Sequence, residues 1–82
     1  MTVVYLTRID PAQNMARFYV LDVQPTLFGE CTLVREWGRI GRGGQVRQIH
    51  CPCLVEADAM LKIQLKTKLR RGYVVADKRI AR

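Results

Sequence analysis

The 82 residues, about half of them apolar and none in a low-complexity tract, make one globular domain with a single small core. The formal net charge of +7, with ten arginines and four lysines, points to a polyanion, either nucleic acid or an anionic membrane surface; a generic basic surface is the plain alternative, but the arginine bias favours phosphate, which a guanidinium grips bidentately. No apolar run approaches the roughly 20 residues of a transmembrane helix, and Met1–Leu6 is too short for a signal-peptide core and is soon followed by Arg8, so neither a membrane span nor a leader is expected.

The stretch 2–9, rich in β-branched and aromatic residues, reads as a first strand. Asp10-Pro11-Ala12-Gln13-Asn14 is a turn: Asp opens it, Pro suits its second position, and Asn tolerates the left-handed conformation. A second strand follows over about 15–24, so the first two form a hairpin with a loop of about five residues. Pro25-Thr26-Leu27-Phe28-Gly29 leads into a third strand over about 30–40. Gly41-Arg42-Gly43-Gly44 then turns the chain into a fourth over about 45–51. Neighbours in sequence, these strands default to an antiparallel meander.

Pro52 ends the strand run, and the apolar period changes from two to 3.6. Leu54, Ala57, Leu61, Leu65 and Leu69 form a stripe, which predicts a helix over about 54–71. Cys53 takes the N-cap position with Glu56 three residues on, a capping-box pattern in which cysteine is a poor cap. Glu56 and Asp58 near the start, and Lys66, Lys68, Arg70 and Arg71 near the end, suit the helix dipole; Gly72 closes it. Met60 and Ile63 lie off the stripe, marking a homodimer contact or nothing. Lys68 falls beside the stripe, its stem either passing the core edge or aiming the ammonium at a phosphate. Residues 73–76 form a short fifth strand or an extended tail, and Lys78, Arg79 and Arg82 a basic, frayed end. The expected fold is α+β: residues 1–82 as one domain, a small antiparallel β-sheet of four to five strands with one α-helix packed across it.

The densest chemistry lies in residues 33–45, which hold the one tryptophan, three of the ten arginines and four of the six glycines. Strand alternation puts Arg35, Trp37 and Arg39 on one face, and Val34, Glu36, Gly38 and Ile40 on the other. A lone strand tryptophan is ordinarily a core anchor, and strand arginines ordinarily the solvated side of a sheet. Their shared parity sets these readings against each other, because burying Trp37 would bury two arginines. A half-buried Trp37 at a sheet margin resolves the conflict. It leaves an indole between two guanidinium forks, suited to a base or sugar flanked by phosphates.

Other chemistry is sparse. Cys31, Cys51 and Cys53 are odd in number, and the last two flank a proline too closely for an easy disulfide, which fits a reducing cytoplasm. His50-Cys51-Pro52-Cys53 lacks a fourth ligand and a second metal-binding pair, so no metal or cofactor is expected. His50, the single histidine, has no Cys/His or Ser/His/Asp constellation that sequence places beside it, so no catalytic residue is assigned and the chain does not read as an enzyme. The Gly38–Gly44 run lacks the Gly-Lys-Ser/Thr ending of a phosphate loop. It reads as a hairpin turn that offers backbone N–H groups and Arg42 to a phosphate.

At Trp37-Gly38-Arg39 the chain resembles a family, the WGR domain, in its stand-alone bacterial form. The resemblance extends over nearly the whole chain: the Asp10–Asn14 loop, Arg17-Phe18-Tyr19, Leu27-Phe28-Gly29, residues 33–41, Gly44-Gln45, Ala57 and residues 68–73. It departs at Cys51-Pro52-Cys53. The resemblance implies an antiparallel sheet with one helix across it. In DNA-damage-dependent poly(ADP-ribose) polymerases such a domain binds DNA near a strand break, its tryptophan packing on the terminal sugar and its arginine contacting DNA and a neighbouring domain. Those roles carry over to Trp37 and Arg39. No ADP-ribosyltransferase domain lies within these residues, so that activity is not implied.

The resulting expectation is a non-catalytic module for DNA ends or nicks, of low sequence specificity. Trp37 stacks; Arg39, Arg35 and Arg42 meet phosphates with help from Gln45; and Lys68, Arg70 and Arg71 extend the phosphate track. The alternative is a protein-interaction module docking an acidic partner. The chain is expected to be a monomer or weak homodimer in the cytoplasm, at the nucleoid if DNA-bound, with no membrane partner.

Overall fold

The structure, a computed structural model, describes residues 2–26 and 28–80, Ile80 through its backbone alone; Leu27 of the second connection and Arg82 of the basic end lie outside the described residues. Strands β1 (Thr2–Asp10), β2 (Met15–Pro25), β3 (Cys31–Arg39) and β4 (Gln45–Cys51) form an antiparallel meander. Helix α1 (Leu54–Arg70) then carries the chain across one face, and β5 (Val74–Ile80) pairs antiparallel with the free edge of β1. The strand order is β4-β3-β2-β1-β5. The chain is thus the α+β arrangement read from its sequence, a five-stranded antiparallel sheet with one helix packed across it.

Alternation builds the core. Val4 and Leu6 of β1, Tyr19, Leu21 and Val23 of β2, Cys31 and Leu33 of β3 and Cys51 of β4 point to the helix face and are buried. Fully burying each of Leu6, Leu21 and Leu33 contributes about 2 kcal/mol. Ala57 and Leu61 close the core from α1.

The helix is rotated relative to the expected stripe. Leu54 and Leu69 are 42% and 45% exposed, whereas Met60, expected off the stripe, packs on the core with its sulfur 3.6 Å from the Cys51 thiol. The cause is the helical repeat. At about 100° per residue, Lys68 falls within about 20° of Ala57, while Leu69 falls about 120° away. Lys68 therefore points at the sheet.

The helix ends differ. Cys53 is extended at the N-cap but makes no side-chain cap bond, so the capping box does not form. At the other end Gly72 adopts φ +93°, its N–H donates to the Leu69 carbonyl at 3.2 Å, and the Tyr73 N–H donates to the Lys68 carbonyl at 3.1 Å. This is a Schellman cap, which characteristically brings the side chains of its third-last and post-glycine residues together, here Lys68 and Tyr73.

Strand β5 also corrects an expectation. Lys78 and Arg79 are not frayed but stand opposite Val4 and Val3, and Thr2 stands opposite Ile80. A register shift between Tyr5 and Leu6 leaves Ala76 as the extra residue of a bulge. The second face of the sheet carries no helix. Tyr5 and Phe18 stack there, ring centroids 6.2 Å apart. Phe18 lies against Gly38 and Gly44, where a Cβ would meet its ring at 3.3 and 2.9 Å.

Candidate nucleic-acid interface

Strand register assembles the site in rows on the helix face. Arg8, Arg17 and Arg39 stand opposite one another across β1, β2 and β3. The next row is Leu6, Tyr19, Trp37 and Gln45, and the next is Val4, Leu21, Arg35 and Arg47. Helix α1 covers the sheet only as far as its last turn, so the end of this face nearest Arg39 is left open. The result is a cleft of about 470 Å³. Tyr19, Trp37 and Tyr73 supply its aromatic surface; Arg8, Arg17, Arg35, Arg39, Lys68 and Arg71 line it, and among the described residues no carboxylate does. Like charges directly opposite in a sheet repel and destabilise it, so the arginine row suits a surface that is to receive an anion.

The aromatic floor is ordered. Tyr19 and Trp37 lie nearly parallel, 17° apart with centroids separated by 6.0 Å, and Tyr73 meets Tyr19 edge-on at 6.2 Å. Trp37 is half-buried and packs against the edge of the core. Arg35 donates its Nε–H to the Tyr19 hydroxyl at 2.6 Å and holds its guanidinium 5.7 Å from the Trp37 ring. That bond takes one donor and leaves the terminal nitrogens of the fork to the cleft.

Lys68 places its ammonium 4.4 Å from the Tyr19 ring centroid and 5.7 Å from that of Tyr73. Aromatic faces, not a carboxylate, partner this cation. Burial, then the charges of Arg71 and Arg35, hold its pKa below the ordinary lysine value. Arg39 is fixed differently: its Nη1–H donates to the Asn14 carbonyl at 3.0 Å and Nη2–H to Asn14 Oδ1 at 3.3 Å. Asn14 can offer both because it ends the Pro11–Gln13 3₁₀ turn in the left-handed region, φ 51°.

Of the residues singled out from the sequence, Trp37, Arg35, Arg39, Lys68 and Arg71 converge on the cleft. Three do not. Arg42 is exposed in the β3–β4 turn, Arg70 is exposed on the outer side of α1, and Gln45, although opposite Trp37, is exposed outside the cleft lining. Arg8, Arg17, Tyr19 and Tyr73 are cleft residues that the site reading from sequence left out. The available signal was parity: Arg17 and Tyr19 alternate on β2 as Arg35, Trp37 and Arg39 do on β3.

The remaining candidates lie elsewhere. His50 is exposed on the other sheet face, toward the opposite end of the sheet, with its Nε2 against the Glu30 carboxylate. Cys31 and Cys51 are buried free thiols, and burial, with Glu56 nearby, pushes the Cys51 thiol above its usual pKa. Among the described residues no group of three or more His, Cys, Asp or Glu side chains is placed to hold a metal, and no helix is long and apolar enough to cross a membrane.

The family model for the WGR domain matches residues 2–80. The WGR domain is a non-catalytic module. A Sinorhizobium fredii (strain NBRC 101917 / NGR234) protein known only as uncharacterized protein y4dW is 42% identical over 69 residues, which is 84% of this chain and 34% of that protein. The chain thus spans about a third of the length of that curated relative. No solved structure matches the chain.

Proposed function

The chain belongs to the WGR domain family, and on that premise we propose that it binds nucleic acid without catalysis and recognises DNA ends or breaks. The observation that carries this reading is the aromatic floor of Tyr19 and Trp37 set between two ranks of cations with no acid among them. A terminal sugar packs flat on the half-buried Trp37. Arg39, with Arg17 and Arg8 in its row, takes the phosphate on one side, and Arg35, Lys68 and Arg71 take the one on the other. An indole at the floor of a cleft suits a nucleotide with no stacked neighbour on its outer side, which is the property of an end or a nick. No cleft side chain presents the paired donor and acceptor of an asparagine or glutamine to a base edge, so recognition is by shape and charge.

The test is fluorescence anisotropy at moderate salt. It compares a blunt 5′-phosphorylated duplex with a hairpin-capped duplex of equal length, for wild type and Trp37→Ala. Open ends are expected to bind several-fold tighter, with Trp37→Ala removing the difference. Equal binding of both duplexes, unchanged by Trp37→Ala, would leave only charge. The same six cations would then favour the second reading, an acidic protein docked on this cleft.

A further inference from the structure

We propose that Lys68 is an acylation site, at which an acyl phosphate held by Arg35 and Arg71 transfers its acyl group to the amine. A lysine becomes nucleophilic when it leaves bulk water or stands beside other cations, because both disfavour its protonated form. Lys68 meets both conditions. Its Nζ lies 4.4 Å from the Tyr19 ring centroid and 5.7 Å from that of Tyr73, and it lines the cleft, where among the described residues no carboxylate stands. Arg35 shares the Tyr19 ring with it, its Cζ 5.9 Å from the centroid, and Arg71 lines the same cleft. Burial is the first cause of the lowered Lys68 pKa, and the charges of Arg71 and then Arg35 are the others. The three remaining lysines, Lys62, Lys66 and Lys78, are exposed and lie outside the cleft lining.

The same neighbours select the donor. Arg35 gives one nitrogen to the Tyr19 hydroxyl and keeps the rest of its fork, and Arg71 is exposed at the end of the helix, so both guanidiniums are open to a phosphate. In an acyl phosphate the carbonyl carbon is one oxygen away from phosphorus, so gripping the phosphate brings the carbonyl to the amine between them. A thioester of coenzyme A carries its phosphates many bonds from its carbonyl and gains no such alignment. The step balances with these two reactants alone. The ammonium releases one proton to water, and the freed lone pair forms the C–N bond. The bond from the carbonyl carbon to the bridging oxygen breaks, and its electron pair leaves with the phosphate, which takes the second proton. The resulting amide is neutral, so the cleft loses one of its six cations.

The acylation stands on the cleft alone; that it weakens DNA binding rests on the DNA-end reading. The first experiment therefore contains no DNA. The chain is incubated with acetyl phosphate, and acetylation of each lysine is followed over time by peptide mass spectrometry, with Lys62, Lys66 and Lys78 as internal references. Lys68 is expected to be acetylated several-fold faster than any of the three, and Arg71→Gln to remove most of that advantage. Equal rates at all four lysines, or an advantage of Lys68 that survives Arg71→Gln in full, would overturn the inference. Anisotropy then reads the consequence. Acetylated wild type is expected to bind open-ended duplex several-fold more weakly, with the slope of log K against log salt reduced by about 0.9. Lys68→Gln, already weakened, should respond far less to acetyl phosphate. Acetylation selective for Lys68 that leaves DNA affinity unchanged would sustain the site and overturn Lys68 as a DNA contact.

Discussion

Both terminal nitrogens of Arg39 are held by one residue, Asn14, through its backbone carbonyl and its side-chain oxygen. The β1–β2 turn therefore aims a guanidinium that belongs to β3. Asn14→Gly keeps the left-handed backbone and loses the side-chain bond; affinity for open-ended duplex is expected to fall about two- to tenfold with little change in melting temperature. Asn14→Ala adds backbone strain of about 1 kcal/mol and should lower both. Anisotropy and thermal melting of the two variants separate aim from stability.

Arg39 and Arg42 sit three residues apart but in different places, one in the cleft and one in the exposed turn. Arg39→Gln is expected to weaken binding and to reduce the slope of log K against log salt by about 0.9, the loss of one phosphate contact. Arg42→Gln should change the slope by much less. Titrations at several salt concentrations check both, and equal slopes for the two variants would argue against the assignment of Arg39.

The depressed pKa of Lys68 has a definite sign. Burial and the charges of Arg71 and Arg35 disfavour the ammonium in the free protein. Between the lowered value and that of an ordinary lysine the unfolded chain binds more protons, so this residue's effect on stability becomes more favourable as pH rises through that window. A phosphate over Lys68 restores the ammonium. DNA binding in that alkaline window is thus expected to take up a proton, and affinity to fall as pH rises through the lowered pKa. Calorimetry in buffers of different ionisation enthalpy reads the uptake, which Lys68→Arg should abolish.

Two glycines of the β3–β4 turn region are not equivalent. A Cβ on Gly44 would collide with the Trp37 carbonyl oxygen and lie 2.9 Å from the Phe18 ring, whereas one on Gly43 would meet nothing within 4 Å. Gly44→Ala is expected to cost about 2–3 kcal/mol and about 10 °C or more in melting temperature. Gly43→Ala should stay within about 0.5 kcal/mol of wild type. Thermal unfolding of the pair is the check.

Much of this geometry was legible in the chain because it depends on local periods. Alternation alone puts Arg35, Trp37 and Arg39 on one face, and the glycines around residue 41 mark the turn. What was not legible depends on register. That Arg8, Arg17 and Arg39 share a row follows from how the Pro11–Asn14 turn closes its hairpin and how β3 aligns on β2. Tyr19 as the partner of Trp37, Arg35 and Lys68 follows from the same alignment. The choice between Lys68 and Leu69 as the inward residue rests on a rotation of about 100°, which an apolar stripe read by residue type assigns to the leucine. Lys78 and Arg79 look like a solvated tail because the ladder that orders them is supplied by β1, more than 70 positions away.

The pairing of Thr2 with Ile80 sets start and finish of the described chain side by side in one ladder, at the end of β1 away from Arg8. Joining them by a short linker and reopening the chain at the exposed β2–β3 connection gives a circular permutant whose cleft strands keep their neighbours. A fluorophore, an affinity handle or a second folded unit joined beyond Thr2 or Ile80 likewise starts from the end of the sheet away from the cleft. The recognition end can thus be presented to a ligand without obstruction from whatever the domain is tethered to.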